Sequence, residues 1–551
     1  MQRVDYMTEA QNKENLLTIR GLKISARVDN KWCEIVHGID LDLKRGEVLG
    51  LIGESGAGKS SVGLAAMGFT RNGCEITGGS VDFDGIDMAR ASDSQKQALR
   101  GMRIAYVAQS AAASFNPAHK LINQYVEAPT THGTSNDKDA REEAISLYRK
   151  LQLPAPESIG FRYPHQLSGG QLQRAMTAMA MSCKPDLIIF DEPTTALDVT
   201  TQIEVLAAIR EIVREYNTAA LYISHDLAVV AQMADRMQVL KNGNTVEIAD
   251  TATMLAAPVE DYTKTLWAVR NIQRPEADTA NADVIMELNN IDASYVKGGE
   301  KILKDISIKV KRGQTLAVVG ESGSGKSTTA RVISGLLEAS RGDIVFNGKA
   351  LPTHFKQRDK NTLRQIQMIY QMPDTALNPR QKVADIIGRP LQFYLGLNRS
   401  EKRARTEQLL EQVELDPGQY LNRYPGELSG GQKQRICIAR ALAAEPEFII
   451  CDEVTSALDQ AVNKSILDLL TRLQKELNLT YLFITHDLAT VQAIADEVVV
   501  MLKGEVVEQD TRKALFAPPH HEYTERLLSS VPQMDPDWLN NLLDQRRGQV
   551  S

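Results

Sequence analysis

The chain has 551 residues, of which 43% are hydrophobic and 24% charged, and its formal net charge is −7 at pH 7. This length predicts two or more domains, and this composition is typical of folded proteins. A net negative charge disfavours general nucleic-acid binding, which needs a basic surface, so nucleic acid is not an expected partner.

The N-terminal stretch from Met1 to Asn15 is polar and lacks the apolar core of a secretory signal. No run of about 18 apolar residues follows anywhere in the sequence, so no membrane span is expected. The five cysteines are scattered and have no CxxC spacing, which disfavours a disulfide framework or a zinc site. These features predict a cytoplasmic protein with reduced thiols.

The first half opens on strand-like alternation in LLTIRGLKIS, from Leu16, and continues with short apolar runs separated by helix-length stretches. Apolar runs such as EVLGLIG and DLIIF are typical of buried parallel strands. The sequence therefore predicts an α/β fold with a parallel core sheet, in which ligands bind at the carboxyl ends of the strands.

A glycine-rich loop follows the run EVLGLIG and precedes a helical stretch. The sequence GESGAGKS, from Gly53 to Ser60, fits the phosphate-binding pattern GxxxxGK[ST] in its required context. Its glycines let backbone N–H groups turn toward an anion, its lysine would reach the β- and γ-phosphates, and its final serine would bind Mg²⁺. The residues predicted to bind ATP here are Gly53, Glu54, Ser55, Gly56, Gly58, Lys59, Ser60 and Ser61.

Two adjacent acids end the apolar run LIIF. Asp191 would hold Mg²⁺, and Glu192 would polarise the attacking water. Phosphoryl transfer needs chiefly such positioning and charge neutralisation.

The second half repeats the first. KRGQTLAVVGESGSGKST, from Lys311, returns 267 residues after its counterpart, and FIICDE returns 261 residues after LIIFDE. The corresponding ATP-binding residues are Gly320, Glu321, Ser322, Gly323, Gly325, Lys326, Ser327 and Thr328, and the corresponding acids are Asp452 and Glu453. The repeat predicts two tandem domains, each with its own ATP site.

The repeat also sets the predicted domain boundaries. We expect an N-terminal tail over 1–15, a first domain over 16–271, a linker over 272–283, a second domain over 284–532 and a C-terminal tail over 533–551. The linker region is polar and lacks apolar periodicity, which is typical of an exposed connection. Disordered or lightly docked ends are the simplest expectation for both tails.

Each half also contains LSGGQ, at 167–171 and 428–432. With this motif the chain resembles the ATP-binding-cassette (ABC) ATPases over about 500 residues. The resemblance implies a core sheet, an antiparallel β subdomain and a helical signature subdomain in each half. It also implies head-to-tail pairing of the halves, in which the signature of one caps the γ-phosphate held by the other. The signature residues are Ser168, Gly169, Gly170, Gln171, Ser429, Gly430, Gly431 and Gln432.

Further positions match the family one at a time. Gln109 and Gln371 fall where the family's Q-loop glutamine contacts Mg²⁺ or water, and His225 and His486 match the histidine that contacts the γ-phosphate. Both halves keep the full set, so the resemblance implies two hydrolysis-competent sites, with Glu192, Glu453, His225 and His486 as catalytic residues.

The halves differ at the family's adenine-stacking position. Aligning LTIRGLKISA with MELNNIDASY places Tyr295 there in the second half and Ala26 in the first. Loss of a stacking ring predicts weaker ATP binding at the first site, unless Trp32 or another side chain substitutes.

Two kinds of ABC protein remain open. The translation-associated F subfamily is also a tandem pair, but its halves are joined by a long charged helical arm, whereas the linker here is short. Two features of each half are similar to the dipeptide/oligopeptide/nickel importer ATPases, with the fused glutathione and microcin-type peptide importers most alike. The first is an Asn-Pro pair after the Q-loop glutamine, at Asn116-Pro117 and Asn378-Pro379. The second is a late segment, APVEDYTKTLW in the first half and APPHHEYTERLL in the second. Many of that group carry a cysteine cluster after the YT segment. This chain has no cysteine after Cys451, so no iron–sulfur centre is expected.

The importer interpretation implies specific partners. Two transmembrane permease subunits would dock near Gln109 and Gln371, a periplasmic protein would deliver the solute, and this chain would lie on the cytoplasmic face of the inner membrane. The ATPase does not touch the cargo, so its sequence does not name the solute.

Overall fold

The computed structural model describes residues 14–28, 31–194, 197–268, 282–296, 298–456 and 458–550. Most of the predicted linker, and the N-terminal tail up to residue 13, lie outside the described residues. The chain forms two units. The first comprises the described residues of Met1–Leu197, Thr201–Ala268 and Pro532–Ser551, and the second those of Asp198–Thr200 and Val269–Val531.

The strands of the first unit form two sheets. In the described residues these are a four-stranded antiparallel sheet of order β2-β1-β4-β5 and a six-stranded sheet of order β10-β9-β3-β8-β7-β6. Five neighbouring strands of the larger sheet are parallel, and β10 is antiparallel at one edge. The strands are β1 Asn15–Val28, β2 Lys31–Lys44, β3 Val48–Ile52, β4 Cys74–Phe83, β5 Ile86–Asp87, β6 Ile104–Val107, β7 Leu187–Asp191, β8 Ala219–Ile223, β9 Arg236–Lys241 and β10 Asn244–Asp250.

Helices of the first unit cover the larger sheet and build a helical subdomain between β6 and β7. They are α1 Lys59–Ala66, α2 Asp93–Leu99, α3 Ala111–Ser114, α4 Leu121–Thr131, α5 Asp137–Lys150, α6 Pro156–Ile159, α7 Gly169–Ala180, α8 Val199–Glu215, α9 Leu227–Met233, α10 Thr251–Ala256 and α11 Asp261–Ala268. The central strands β3, β7 and β8 are buried along their whole length, which is why their sequences are continuous apolar runs.

The second unit repeats this topology. Its sheets have the orders β12-β11-β14-β15 and β16-β17-β18-β13-β19-β20, the same arrangement as in the first unit. The strands are β11 Val284–Ala293, β12 Leu303–Lys311, β13 Thr315–Val319, β14 Ala339–Phe346, β15 Lys349–Ala350, β16 Ile366–Ile369, β17 Phe448–Asp452, β18 Thr480–Ile484, β19 Glu497–Leu502 and β20 Glu505–Thr511.

The helices of this unit follow the same order as α1 to α11 of the first unit. They are α12 Lys326–Ile333, α13 Lys360–Gln365, α14 Pro373–Ala376, α15 Val383–Leu395, α16 Arg399–Gln412, α17 Pro417–Tyr420, α18 Gly430–Leu442, α19 Gln460–Leu477, α20 Leu488–Ile494, α21 Arg512–Leu515 and α22 Glu522–Ser529. The predicted α/β class, with a β subdomain and a helical subdomain in each half, is confirmed. Among the described residues, no helix combines the length and the apolar character needed to cross a membrane.

The C-terminal segment belongs to the first unit although it follows the second cassette in the chain. It ends in helix α23, Trp538–Val550, whose side chains Trp538, Leu539 and Leu542 are buried in the same hydrophobic core as residues of α8 and α9. The predicted tail over 533–551 is therefore a packed element of the first cassette over its described residues.

Candidate functional site

In both units the glycine-rich loop lies between a buried core strand and a helix. Helix α1 begins at Lys59 directly after Gly58, and α12 begins at Lys326 directly after Gly325. The loop glycines have positive φ angles, which residues with a side chain adopt only at a cost. They are Gly53, Gly56, Gly58, Gly320, Gly323 and Gly325.

The first glycine of each loop also lies too close to its neighbours to carry a side chain. A Cβ atom at Gly53 would lie 2.2 Å from the carbonyl oxygen of Leu240, and one at Gly320 would lie 2.2 Å from that of Met501. Each loop is therefore pressed closely against a neighbouring core strand, and it leads into the start of a helix, where the helix dipole favours negative charge.

The lysine of each loop is buried beneath it. Lys59 Nζ donates hydrogen bonds to the carbonyl oxygens of Gly53 at 2.7 Å and Glu54 at 2.9 Å, and Lys326 Nζ donates to those of Gly320 and Glu321, both at 2.8 Å. Burial lowers the pKa of Lys326, because desolvation disfavours the ammonium form. These contacts hold the amino group of each lysine against the backbone of its loop.

The serine that ends each loop meets the aspartate at the end of the neighbouring core strand. Ser60 Oγ donates to Asp191 Oδ1 at 2.8 Å, and Ser327 Oγ donates to Asp452 Oδ1 at 3.0 Å. Burial raises the pKa of Asp452. A hydroxyl and a carboxylate that converge in this way are oxygen ligands of the kind that Mg²⁺ prefers, so the residues present fit that ion.

The glutamate after each aspartate has a left-handed backbone, with φ of 51° at Glu192 and 49° at Glu453. Its N–H donates to the neighbouring strand β8 or β18, at the carbonyl oxygens of Ile223 and Ile484, both at 2.9 Å. A non-glycine residue in this region costs on the order of 1 to 3 kcal/mol and recurs at functional sites. Each glutamate side chain contacts different residues from the aspartate before it.

In the first unit two further side chains hold the carboxylate of Glu192. Gln109 Nε2 donates to Oε2 at 2.9 Å, and His225 Nδ1 lies 3.1 Å from Oε1. Burial is the strongest influence on His225 and opposes its charged imidazole, but the hydrogen bond and negative charge of Glu192, together with the charge of Asp226, raise the pKa of the histidine.

The same trio recurs in the second unit. Gln371 Nε2 donates to Glu453 Oε2 at 2.6 Å, and His486 Nδ1 lies 3.6 Å from Oε1. The pKa of His486 is raised although burial opposes its charge, and the pKa of Glu453 is lowered although burial opposes its charge. The structure thus brings the predicted glutamine, glutamate and histidine of each half together.

The signature serine of each unit caps the helix that follows it. The hydroxyl of Ser168 accepts the backbone N–H of Gln171 at the start of α7, and that of Ser429 accepts the N–H of Gln432 at the start of α18. In each unit the glutamine side chain accepts the serine N–H in return.

The second glycine of each signature packs tightly on the next helix of its own unit. A Cβ atom at Gly170 would lie 2.2 Å from Thr201 Cγ2 of α8, and one at Gly431 would lie 2.6 Å from Val462 Cγ1 of α19. The remaining signature glycines, Gly169 and Gly430, would place a Cβ atom at ordinary contact distances.

The strand registers support the alignment of the two adenine positions. Ile24 pairs with Ile76 on β4, and Ala293 pairs with Ala339 on β14, at corresponding places in the two small sheets. Ile24 lies two positions before Ala26, and Ala293 lies two positions before Tyr295.

The ring of Tyr295 is 53% exposed and lies next to helix α12. Its hydroxyl lies 3.1 Å from Thr328 Oγ1 and accepts a hydrogen bond from Arg331 at 3.1 Å. In the first unit β1 continues through Ala26, which pairs with Cys33 and Cys74, and the nearby Trp32 is half exposed.

One contact of the site was absent from the sequence predictions. Tyr106 of β6 donates its hydroxyl hydrogen to Asp191 Oδ2 at 2.6 Å. The only sequence signal was that the second half has Met368 at the corresponding place.

Two sequence profiles match this chain. The family described as "ABC transporter" matches residues 36–195 and 303–456, more than half of the chain, and the "Oligopeptide/dipeptide transporter, C-terminal region" matches residues 507–551. The chain belongs to the ABC transporter family. This ABC protein binds ATP and is an ATPase coupled to transport, as the resemblance predicted.

Individual relatives match across nearly the whole chain. This ABC ATPase is 38% identical over 568 residues to "Glutathione import ATP-binding protein GsiA" of Salmonella typhimurium, with 95% of the chain and 91% of that protein covered. It is 36% identical over 567 residues to the protein of the same description from Escherichia coli O157:H7, with 95% and 90% covered. A solved structure of cbiO1 from Clostridium perfringens, described as part of the ABC transporter complex cbiONQ, aligns with 42% of this chain and 91% of its own, with 31% identity and a TM-score of 0.39.

Proposed function

We propose that this ABC ATPase energises a bacterial importer for peptides or related small solutes, glutathione included, by hydrolysing MgATP at a site in each cassette. Two active sites are supported by the trio of glutamine, glutamate and histidine that occurs in both units. The distances from the glutamate carboxylate to the glutamine nitrogen and to the histidine nitrogen are 2.9 and 3.1 Å in the first unit and 2.6 and 3.6 Å in the second. Neither cassette lacks a member of the trio.

Each residue has a role that its geometry supports. Lys59 and Lys326 bind the β- and γ-phosphates, and the loop N–H groups surround them. Ser60, Gln109 and Asp191 hold Mg²⁺ in the first unit, and Ser327, Gln371 and Asp452 hold it in the second. When bound, that ion neutralises charge on the phosphate oxygens.

Glu192 and Glu453 orient the attacking water and accept its proton. Their carboxylates are suited to this role because the glutamine amide fixes one oxygen of each, which leaves the other beside the histidine. His225 and His486 are placed to donate to the γ-phosphate from the ring nitrogen that does not face the glutamate.

The importer assignment rests on the relatives and on the C-terminal match. The relatives are described as glutathione import proteins, and residues 507–551 match an oligopeptide/dipeptide transporter region. Both favour an importer over a ribosome-associated ATPase. The partners we propose are two membrane-spanning permease subunits and a periplasmic solute-binding protein, with this chain peripheral on the cytoplasmic face of the inner membrane.

The deciding experiment replaces each catalytic glutamate. We would express the chain with the permease subunits of its own bacterium, purify the complex through a tag on this chain, and measure ATPase activity of Glu192→Gln, Glu453→Gln and the double variant. Glu338→Gln serves as the matched control, since this side chain is exposed and lies outside both sites.

We expect a loss of activity in each single variant, a loss of about 100-fold or more in the double variant, and no change in the control. Co-purified permeases and stimulation by a peptide or glutathione with its binding protein would support the importer. A single variant with full activity would contradict two working sites. A double variant that sediments with ribosomes and brings no membrane protein would contradict the importer.

A further inference from the structure

The two ATP sites differ in what holds the aspartate at the end of the core strand. In the first unit both oxygens of Asp191 accept hydrogen bonds, Oδ1 from Ser60 at 2.8 Å and Oδ2 from Tyr106 at 2.6 Å. The tyrosine reaches the aspartate because β6 is the parallel neighbour of β7, with Tyr106 opposite Ile189.

The second unit has the same strand pair without the tyrosine. Strand β16 is the parallel neighbour of β17, and Met368 lies opposite Ile450. A methionine side chain has no hydrogen to donate. Within the described residues, Asp452 receives its side-chain hydrogen bond from Ser327, at 3.0 Å.

The aspartate that has the tyrosine beside it is the less exposed of the two. Asp191 is 2% exposed, and Asp452 is 8% exposed. The phenol ring of Tyr106 is itself partly buried beside Asp191, so the first aspartate is covered and held at both oxygens.

We propose that Tyr106 is a positioning residue of the first ATP site, which fixes the carboxylate of Asp191 for Mg²⁺ and gives that site a higher affinity for the ion than the second site has. The inference rests on the proposed role of Asp191 and Asp452 in holding the ion. A short hydrogen bond from a hydroxyl to a carboxylate is charge-assisted and directional, so it restricts rotation of the carboxylate and keeps Oδ1 beside Ser60.

The effect of such a hydrogen-bond partner on metal affinity has a typical magnitude. Removing an outer-shell partner of a metal-holding side chain costs about 10- to 100-fold in metal affinity. A tyrosine that serves only to fill space beside the strand would instead change stability and leave metal affinity unaltered.

The test measures metal binding at one site at a time in the full chain. Lys326→Ala removes phosphate binding at the second site, and Lys59→Ala removes it at the first. In each background we would titrate Mn²⁺ in the presence of a non-hydrolysable ATP analogue and follow free Mn²⁺ by electron paramagnetic resonance.

Tyr106→Phe in the Lys326→Ala background should weaken Mn²⁺ binding about 10-fold, while binding of the analogue in EDTA stays unchanged. Met368→Tyr in the Lys59→Ala background should tighten Mn²⁺ binding at the second site, and Met368→Leu should not alter it. If Tyr106→Phe folds poorly, Met368→Tyr still tests whether a tyrosine at this position strengthens Mn²⁺ binding.

Equal Mn²⁺ affinity for Tyr106→Phe and its parent, or no gain in Met368→Tyr, would overturn the positioning role while leaving the two sites assigned as above. Mn²⁺ binding no greater than that of the analogue alone, in both parent backgrounds, would overturn the site assignment itself, and the inference with it.

Discussion

The side-chain amide of Gln232 binds the C-terminal segment at both of its polar atoms. Its oxygen accepts the backbone N–H of Leu539 at 3.0 Å, and its nitrogen donates to the carbonyl oxygens of Gln533 at 2.9 Å and Asp535 at 2.8 Å. Gln232 lies in α9, the helix that directly follows His225 of the first ATP site, and is 3% exposed. The C-terminal segment is thus attached to the helix that follows His225, a residue we propose to be catalytic.

Shortening Leu539 should destabilise this attachment. Leu539 is fully buried, and Leu→Ala changes in cores cost about 2 to 5 kcal/mol. We expect Leu539→Ala to lower the unfolding temperature of the first unit in calorimetry and to speed hydrogen exchange in α9. Asn541→Ala, at an exposed position of the same helix, is the control. Unchanged exchange in α9 would contradict the attachment.

Removing the ring of Tyr295 should weaken ATP binding at the second site alone. Stacking of a base on an aromatic side chain is worth about 1 to 3 kcal/mol, so Tyr295→Ala should cost about 10-fold or more in affinity for a non-hydrolysable ATP analogue. Tyr295→Phe should retain most of the affinity, because the ring face and not the hydroxyl makes the stack. Calorimetric titration in the Lys59→Ala background isolates this site.

The first site supplies the counterpart of that prediction. With Ala26 in the stacking position, it should bind the analogue more weakly than the second site, and Ala26→Tyr should strengthen it. Equal affinities in the Lys59→Ala and Lys326→Ala backgrounds would show that another side chain, with Trp32 as the nearest aromatic along the hairpin, replaces the ring.

Much of the fold and of each site was predictable, because phosphate chemistry needs fixed residues at fixed spacing. The loop from Gly53 to Ser60, the acids at 191–192 and their repeats follow from the sequence alone, and the tandem cassettes that they predict are confirmed by the family match. The choice of Gln109 and His225 as site residues came from the resemblance, and the structure adds that both side chains lie within hydrogen-bonding distance of Glu192.

The contacts that were not predicted depend on which strands and helices become neighbours. Tyr106 reaches Asp191 only because β6 and β7 are adjacent in the sheet, an order that hydrophobic periodicity does not reveal. Gln232 replaces Ala493 of the second half, and this difference is visible in the sequence, but its partner Gln533 lies 301 residues away. A polar residue in an apolar helix indicates that a partner exists without identifying it.

The thiols should differ sharply in reactivity. Cys33 is exposed, whereas Cys437 and Cys451 are buried, and burial raises the pKa of Cys437 to about 11 and that of Cys451 higher still. Because the thiolate is the reactive form, we expect a maleimide at pH 7.5 to label Cys33 rapidly and the two buried thiols only after unfolding. Mass spectrometry of the peptides measures this, with Cys33→Ser as the control. Rapid labelling of Cys451 in the native protein would contradict the burial of β17.

The histidine of the second site should titrate above an ordinary histidine as long as Glu453 is charged. The nearby carboxylate of Glu453 and the charge of Asp487 raise the pKa of His486 against the effect of burial. In Glu453→Gln the contribution of Glu453 is lost, and burial, the strongest influence, is opposed only by the charge of Asp487, so the pKa of His486 should fall below its ordinary value of about 6.5. Nuclear magnetic resonance of protein labelled at histidine Cε1 measures both values, and His486→Gln assigns the resonance.

The raised pKa of His486 also determines how the stability of the protein changes with pH. A raised pKa in the folded state means that the His486–Glu453 pair stabilises the protein fully below the ordinary histidine pKa, and that this contribution disappears as the pH rises through the raised value. Between about pH 6 and 8, where Glu453 stays ionised, wild type should therefore lose more unfolding free energy on raising the pH than Glu453→Gln does. The His225–Glu192 pair should respond in the same direction, since its histidine pKa is raised for the same reason. Parallel stability profiles for wild type and Glu453→Gln would show that the imidazole of His486 is neutral in the folded protein and would contradict a charged His486–Glu453 pair.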